Sequence, residues 1–345
     1  MTKIPVAILG ATGSVGQKFV ELLADHPWFE IVAVCASERS VGKPYREAAS
    51  WFSAAPLPPR IGAMMVSPCE PTSEYRIAFS GLDSSVAGEI ETTFAKAGCF
   101  VLSNSKNHRM DVDVPLLIPE VNPDHLELVR MQNFGKGAII TNPNCSTIGL
   151  VMALKPLMDA FGLEAVSVVT MQALSGAGYP GVSSLDILDN VVPFIGGEEA
   201  KVETEPLKIL GARRENCIEN AVIKMSASCN RVAVLDGHLE CASVKLSRQA
   251  LADELIAAWR GFTSEAQALE LPMAPLHPIY YFDEEKFPQP RLHRNLDKGM
   301  ATCVGRLRPC GVLDYKFVLL SHNTIRGAAG GAILNAELLV KKGYL

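Results

Sequence analysis

The sequence predicts an α/β protein in which an N-terminal doubly wound Rossmann domain is combined with an α+β domain whose sheet is largely antiparallel. Short apolar runs alternate with amphipathic helical patterns in the first half, as in parallel sheets covered by helices. In the second half, longer runs alternate apolar and polar residues. At 345 residues the chain is too long for one compact core, which favours two domains.

The first half contains five apolar runs that are typical of buried strands. Helical patterns lie between them, and this strand–helix–strand repetition is the pattern of a parallel sheet. The predicted strands are 3–9, 30–37, 75–80, 99–104 and 137–142, and the predicted helices are 15–26, 84–97 and 123–133.

After residue 144 the pattern of apolar and polar residues changes. Long alternating runs predict strands at 164–172, 231–246 and 306–322. The final segment, 323–345, predicts a helix whose small residues allow close packing on another backbone, and we expect it to return to the first domain. The predicted domains are therefore 1–144 with 324–345, and 145–323.

Composition argues against several classes of protein. The net charge of −5 is unsuited to a nucleic-acid binder, and no apolar run is long enough to span a membrane. The nine cysteines are odd in number and show no CxxC spacing, which argues against a disulfide framework and a zinc site. We expect a cytoplasmic protein with a small-molecule substrate and no metal.

The segment ILGATGSVG directly follows the first predicted strand and opens the first predicted helix. Its glycines, Gly10, Gly13 and Gly16, are spaced for a tight turn, close approach to a pyrophosphate, and close helix–strand packing. Thr12, Ser14 and Val15 complete the predicted cofactor loop. The alternative is a glycine-rich turn without a ligand.

The end of the second strand bears on the choice between NAD and NADP. Ser37, Arg39 and Ser40 offer a guanidinium and two hydroxyl groups that suit a ribose 2′-phosphate, so we predict NADP as the cofactor. Glu38 complicates this choice because an acidic residue here would bind the 2′-hydroxyl of NAD. Arg39 could alternatively be an ordinary surface arginine.

Cys145 is the predicted nucleophile. It lies between an Asn-Pro-Asn turn and a predicted helix, with Ser146 and Thr147 as expected caps, and a helix N-terminus acidifies thiols. His238, beside Gly237, is the predicted proton carrier, since neutral imidazole can take up a thiol proton and imidazolium can donate one. The alternatives are a packed core cysteine and a surface-turn histidine.

Seven segments together resemble the aspartate-β-semialdehyde dehydrogenase family, in its archaeal and fungal branch. The resemblance covers essentially the whole chain, and it implies NADPH-dependent reduction of β-aspartyl phosphate through a cysteinyl thioester. The segments are GATGSVG, HRMDVDVPLLIPEVN, TNPNCSTIGLV, QALSGAGYPG, GGEEAK, NRVAVLDGHLE and HNTIRGAAGG.

The resemblance also implies roles for individual residues. Cys145 would be the nucleophile, His238 the acid/base and Gln172 the residue that orients the acyl group. Arg231 would bind the substrate carboxylate and Glu198, or its neighbour Glu199, the substrate ammonium group. The remaining implied contacts are Lys201, Arg109 and Asn144 to phosphate, and Ser175, Gly176 and Asn323 to the cofactor.

Three other functions stay open at this stage. A malonyl-CoA reductase would keep the thiol, the histidine and the cofactor loop, but its substrate has no ammonium group for Glu198. A cysteine hydrolase would not need the glycine loop, and an NADP-binding sensor would form no acyl-enzyme. The family resemblance further implies that the α+β domain is the catalytic and dimerisation domain, and that the protein is a homodimer or homotetramer.

Overall fold

The computed structural model describes residues 2–345, which form two compact units. The first comprises the described chain up to Leu117, together with Asp124–Asn142 and Ala328–Leu345. The second comprises Ile118–Pro123 and Pro143–Gly327. Relative to the sequence-based division, residues 118–123, 143–144 and 324–327 fall in the second unit.

The first unit is built on a five-stranded sheet in which all neighbouring strands are parallel. The strand order is β2-β1-β3-β4-β5, which confirms the doubly wound prediction. Its strands are β1 (Ile4–Leu9), β2 (Phe29–Cys35), β3 (Ile77–Ser80), β4 (Phe100–Ser103) and β5 (Ala138–Thr141).

The strands of this sheet are continuous apolar runs because helices cover the sheet. Every residue of β3, β4 and β5 is buried. The helices of the unit are α1 (Ser14–Leu23), α2 (Tyr45–Ala48), α3 (Pro59–Gly62), α4 (Ser84–Lys96) and α11 (Gly330–Lys341). Phe19, Val20 and Leu23 form the buried face of α1, at the spacing of one helix face.

The second unit contains a six-stranded mixed sheet of order β11-β12-β13-β10-β6-β9. The three central pairs are antiparallel, whereas β11–β12 and β6–β9 at the two edges are parallel. Its strands are β6 (Leu163–Gln172), β9 (Lys224–Arg231), β10 (His238–Leu246), β11 (Ile279–Phe282), β12 (Thr302–Pro309) and β13 (Tyr315–Ser321), and a separate ribbon pairs β7 (Ala212–Arg213) with β8 (Ile218–Glu219).

Helix α5, the longest helix of this unit, packs on β13, β10 and helices α7 and α8. The helices are α5 (Cys145–Phe161), α6 (Ser184–Ile187), α7 (Glu198–Ile209), α8 (Ala252–Arg260), α9 (Glu265–Ala268) and α10 (Pro290–His293). Shorter 3₁₀ segments occur at Leu174–Ala177 and Leu296–Gly299 in this unit and at Pro123–Met131, and a π-helix spans Ile325–Ala329.

Three sequence-based element predictions differ from the structure. The runs 231–246 and 306–322 were each predicted as one strand, but each is interrupted by a turn. Gly237, at a φ of +96°, ends the first of these turns and directs the chain into β10. The predicted helix 123–133 is a 3₁₀ helix. Among the described residues, no helix is long and apolar enough to cross a membrane.

Candidate active site

The start of α5 is organised by Asn144. Its side-chain Oδ1 accepts hydrogen bonds from the amides of Ser146 at 2.9 Å and Thr147 at 3.3 Å. Asn144 is therefore the N-cap, and the prediction that the Ser146 and Thr147 side chains cap the helix was wrong. The carboxamide fixes the first turn, so Cys145 is held as the first residue of the helix.

Cys145 and His238, 93 positions apart in sequence, meet in the second unit. The Cys145 Sγ lies 3.2 Å from the His238 Nε2 atom, and the cysteine is half-buried. Gly327 packs directly against the cysteine, since a Cβ at this glycine would lie 2.9 Å from the Cys145 Cβ and 3.0 Å from its Cα. The small-residue segment predicted to pack closely on another backbone does so here.

The second ring nitrogen of His238 is also engaged. Its Nδ1 accepts a hydrogen bond of 3.0 Å from the backbone amide of Ala173. His238 is fully buried, and this burial lowers its pKa to about 3, with the positive charges of Arg231 and His322 acting in the same direction. The imidazole is therefore neutral throughout the physiological range.

Two opposite charges accompany this pair. The buried Arg231 donates from Nη1 to the Ala173 carbonyl at 2.7 Å. The buried Glu198 is paired with Lys201 at 2.5 Å and accepts a 2.8 Å bond from the Asn144 Nδ2 atom. Burial raises the pKa of Glu198, but the Lys201 hydrogen bond and charge outweigh it, so the carboxyl pKa lies below its usual value.

Gln172 connects the helix start to this carboxylate. Its Nε2 donates to the Ser146 Oγ at 2.6 Å and lies 3.4 Å from the Glu198 carboxylate. Glu199, the alternative to Glu198, instead accepts a bond from the Cys229 backbone amide at 3.1 Å. Of the two neighbouring glutamates, Glu198 is thus the one whose carboxylate lies with Asn144 and Gln172.

Two buried glutamates near this constellation were missed by the sequence analysis. Glu205 accepts the Asn144 backbone amide at 2.7 Å, so it anchors the residue that caps α5. Glu240 follows His238 by two positions on β10, and both its carboxyl oxygens lack a hydrogen-bond partner among residues 2–345. Burial raises its pKa well above the ordinary value. Their spacing in sequence gave no signal for either role.

A buried ion pair holds the chain that leads into the last helix. Arg326 forms two bonds to Glu120, at 2.8 and 2.7 Å, and both side chains are fully buried. The Arg326 Nη2 atom also lies 3.4 Å from the Met152 sulfur on α5. This bidentate pair joins the segment Ile118–Pro123 to Arg326 within the second unit.

The predicted cofactor loop lies in the first unit, between β1 and α1. Gly10 has a φ of +72°, and a Cβ there would lie 2.8 Å from the Gly81 carbonyl oxygen. A Cβ at Gly16 would lie 2.2 Å from the Gly10 oxygen, so this glycine is required for close packing. Gly13 is the N-cap of α1 and contributes no side-chain cap within the described chain, which leaves the first-turn amides suited to an anion.

The other predicted loop residues surround this turn. Thr12, Ser14 and Val15 are half-buried, and the Thr12 carbonyl accepts a bond from the Gln17 side chain. At the end of β2, Ser37 and Arg39 are exposed and Ser40 is half-buried.

Ser175, Gly176 and Asn323 belong to the second unit. Asn323 donates to the Ser175 Oγ at 2.8 Å and accepts from the Gly237 amide at 2.8 Å. A Cβ at Gly176 would lie 2.8 Å from the Arg231 Nη1 and 3.2 Å from the His238 Nε2, so this glycine makes room for both side chains. Arg109, a predicted phosphate ligand, is buried in the first unit and donates to the Asn104 carbonyl at 2.8 Å.

All nine cysteines are free thiols, and they occupy different environments. Burial raises the pKa of the thiols at 35, 99, 229 and 303. Cys310 differs from these four, since backbone hydrogen bonds at Leu313 and Val312 lower its pKa. Across the described chain, no cluster of three or more His, Cys, Asp or Glu side chains is placed to hold a metal.

The chain matches two family descriptions and is similar to aspartate-semialdehyde dehydrogenases over nearly its whole length. Residues 5–129 match "Semialdehyde dehydrogenase, NAD binding domain" and residues 154–326 match "Semialdehyde dehydrogenase, dimerisation domain". Aspartate-semialdehyde dehydrogenase of Schizosaccharomyces pombe is 50% identical, over 99% of both chains. That of Archaeoglobus fulgidus is 50% identical, over 98% of both.

A solved structure is similar at the level of the backbone. The crystal structure of aspartate semialdehyde dehydrogenase with NADP from Candida albicans covers 100% of both chains, with a TM-score of 0.92 and 43% sequence identity.

Proposed function

We propose that this chain, which belongs to the aspartate-semialdehyde dehydrogenase family, reduces β-aspartyl phosphate to aspartate β-semialdehyde with NADPH. This step leads towards lysine, threonine and methionine. The observation that carries the proposal is the Cys145–His238 pair, with 3.2 Å between Sγ and Nε2, at the start of a capped helix. A thiol so placed is suited to become an acyl carrier.

The charges beside the thiol support an aminoacyl substrate. An aspartyl group presents one carboxylate and one ammonium group, and the buried Arg231 and Glu198 offer the complementary charges. A malonyl group has no ammonium group to pair with Glu198, so this carboxylate favours the aspartyl substrate over malonyl-CoA. In the proposed complex the substrate ammonium shares Glu198 with Lys201. Lys201, Arg109 and Asn144 are the proposed phosphate ligands.

The proposed reaction proceeds through a thioester on Cys145. The thiolate attacks the acyl carbon, the carbonyl oxygen becomes an oxyanion, and cleavage of the carbon–oxygen bond releases phosphate. Gln172, which donates to the Ser146 Oγ in the first turn of α5, is the residue proposed to orient the acyl group. Later, cleavage of the carbon–sulfur bond releases the aldehyde and restores the thiolate. The chemistry contributed by the nicotinamide cofactor is the supply of hydride to the acyl carbon.

The residues of the first unit fit a dinucleotide. Gly13 opens a helix start without a side-chain cap, and the left-handed conformation of Gly10 and the close packing at Gly16 shape the turn around it. The exposed Arg39, which makes no hydrogen bond or ion pair to the described residues, supports NADP over NAD. Ser37 and Ser40 are the proposed hydroxyl donors to the 2′-phosphate, and Ser175 and Asn323 are proposed contacts to the nicotinamide.

The same proposal includes the oligomeric state of the protein and the compartment in which it works. The dimerisation-domain match at 154–326 supports a homodimer, and we propose that either a homodimer or a homotetramer is the working form. Nine free thiols support a reducing compartment such as the cytoplasm.

The proposal is tested by assaying the purified protein with aspartate semialdehyde, phosphate and NADP, and separately with malonyl-CoA and NADPH. We expect phosphate-dependent NADPH formation in the first assay and none above background in the second. Replacing NADP with NAD in the first assay tests the cofactor, and a lower kcat/KM with NAD is expected. Turnover of malonyl-CoA without turnover of the semialdehyde would refute the proposed substrate.

A further inference from the structure

Two carboxylates of helix α7 hold Asn144, the N-cap of α5. The Glu205 Oε2 atom accepts the Asn144 backbone amide at 2.7 Å, and the Glu198 Oε2 atom accepts its side-chain Nδ2 at 2.8 Å. Both glutamates are buried and lie seven positions apart on α7, so they project from the same face of the helix. This face of α7 therefore contacts the asparagine that precedes the predicted nucleophile.

The bond from Glu205 replaces a contact that a helix normally makes within its own first turn. In a capping box, the side chain of the third helical residue accepts the backbone amide of the N-cap. In α5 that residue is Thr147, and its Oγ1 atom has no hydrogen-bond partner in the part of the chain that the structure describes. Glu205 supplies the acceptor from a second helix, because α7 packs on α5.

This bond fixes the residue to which Cys145 is attached. The Asn144 side chain already caps the first turn of α5, and the bond to Glu205 adds a fixed point on the N-terminal side. The Cys145 Sγ lies 3.2 Å from the His238 Nε2, and a displacement of about 1 Å in a reacting group can cost ~10²-fold in rate. Without the carboxylate the buried amide would lose its acceptor, which favours movement of the helix start.

Two other glutamates of α7 make the same kind of bond to the sheet. Glu199 accepts the Cys229 amide at 3.1 Å and Glu203 accepts the Ala227 amide at 2.9 Å, both on the edge strand β9. Helix α7 thus binds α5 through one pair of glutamates and β9 through the other. Glu203 offers a matched control for Glu205, since its bond to a backbone amide has a similar length and does not involve α5.

We propose that Glu205 is a positioning residue for the reaction of Cys145. It completes the cap of α5 by binding the Asn144 amide, and the capped helix start keeps the sulfur beside the His238 imidazole. Glu205 contacts neither substrate nor cofactor and acts through Asn144. Since Glu198 binds the substrate ammonium group in the proposed function, one face of α7 both recognises the substrate and holds the nucleophile. The inference rests on that proposed function and adds a residue to it.

The test separates the position of the acceptor from its charge. Glu205→Gln keeps an oxygen at the same reach without the charge, whereas Glu205→Asp keeps the charge and withdraws the acceptor by one methylene group. In the semialdehyde assay we expect kcat to stay within about threefold of wild type in Glu205→Gln and to fall about tenfold or more in Glu205→Asp. KM for aspartate semialdehyde should change less than kcat, because Glu205 does not contact it.

The control variant is Glu203→Asp, which shortens the equivalent bond to β9. We expect it to lower the melting temperature about as much as Glu205→Asp while kcat stays near the wild-type value. Equal losses of kcat in the two aspartate variants would make Glu205 a merely structural residue and overturn the proposal. A loss in Glu205→Gln as large as that in Glu205→Asp would also overturn it, because charge and not acceptor position would then matter.

Alkylation of Cys145 by iodoacetamide, followed by mass spectrometry of its peptide, gives a readout without substrate. The rate should fall in Glu205→Asp and stay near the wild-type rate in Glu205→Gln and Glu203→Asp. An unchanged rate in Glu205→Asp would contradict a role in holding the sulfur.

Hydrogen exchange provides the test if Glu205→Asp does not fold. In the wild type and in Glu205→Gln the Asn144 amide should exchange as slowly as the amides in the middle of α5. Exchange as fast as that of a frayed helix end would overturn the proposal. Alkylation and exchange need no substrate, so a failure here is distinct from a failure of the proposed activity.

Discussion

The two functional helices of this chain begin in opposite ways. Helix α1 starts after Gly13, whose lack of a side chain leaves the first-turn amides uncapped within the described residues. Helix α5 starts after Asn144, whose carboxamide binds two of the corresponding amides. An uncapped start is available to a ligand anion, whereas a capped start has its amides occupied and serves to fix a side chain. In the proposed function, the start of α1 binds the cofactor and the start of α5 presents the reacting thiol.

The surroundings of the two helices follow the same division. Around α1 the close contacts are between backbone atoms, and the glycines at 10 and 16 are required by them. Around α5 the contacts are polar side chains, in which Asn144 connects Glu198 with the first turn of the helix. The turn before α1 therefore depends on the absence of side chains, and the start of α5 depends on their presence.

The largest effect, on turnover, is expected at Cys145, the first residue of α5. Cys145→Ala should lower turnover by about 10⁴-fold or more because no other group can carry the acyl chain. NADP should still raise the melting temperature of the variant, since the uncapped start of α1 is unchanged. The measurement is steady-state kinetics combined with thermal shift.

A matched cysteine replacement serves as the control for that prediction. Cys310, in the turn after β12, should tolerate replacement by alanine with ordinary activity. Substantial reductase activity in Cys145→Ala would show that the start of α5 does not carry the nucleophile.

A smaller effect, on stability, is expected at Gly16 in the first turn of α1. In Gly16→Ala the new Cβ would lie 2.2 Å from the Gly10 oxygen and 2.6 Å from the Ala11 Cα, and backbone must move. We expect a loss of about 2 kcal/mol or more in the free energy of unfolding. Denaturant unfolding measures this, and an unchanged stability would show that the helix–strand contact is not tight.

Gly13→Ala is the paired variant in the same loop. The nearest atom to its new Cβ is the Gly10 oxygen at 3.4 Å, and the φ of −78° suits alanine, so stability should be nearly unchanged. The affinity for NADP should fall about tenfold or more, because the added methyl group obstructs the pyrophosphate. Calorimetric titration with NADP would detect this, and unaltered binding would place the phosphates elsewhere.

The smallest effect is expected from removing the cap of α5. Asn144→Ala should reduce the free energy of unfolding by about 1 kcal/mol, since two amides lose their acceptor. Asn144→Ser should restore most of this stability, because serine also caps helices, but it lacks the donor to Glu198. A kcat that recovers together with stability in the serine variant would mean that the Glu198 bond contributes nothing to catalysis.

The sequence predicted those features that depend on residue type at a fixed spacing. Apolar runs predicted the five strands of the first sheet, and the positions of Gly10 and Gly16 predicted the turn and the close packing that the structure confirms. The pairing of Cys145 with His238 was also anticipated, since a turn residue in each case indicated an unusual environment.

Features that depend on the backbone or on distant partners were not predictable. The amide of Ala173 bears no signal in residue type, although it binds His238. Asn144 was assigned to phosphate, and its capping role was given to its neighbours, because an Asn-Pro-Asn turn does not reveal which asparagine precedes the helix. Glu205 could not be found because only the packing of α7 on α5 brings it to Asn144.

The buried carboxyl group of Glu240 couples the stability of the fold to pH. Its pKa is raised in the folded state, so the native chain holds a proton that the unfolded chain releases above its ordinary value near 4.5. Stability should therefore decline with rising pH, by at most about 1.4 kcal/mol per pH unit, until the folded carboxyl itself ionises. In chemical denaturation at several pH values, Glu240→Gln should flatten this decline. The contribution of Glu240, two residues after His238 on β10, is thus smaller in neutral than in mildly acidic solution.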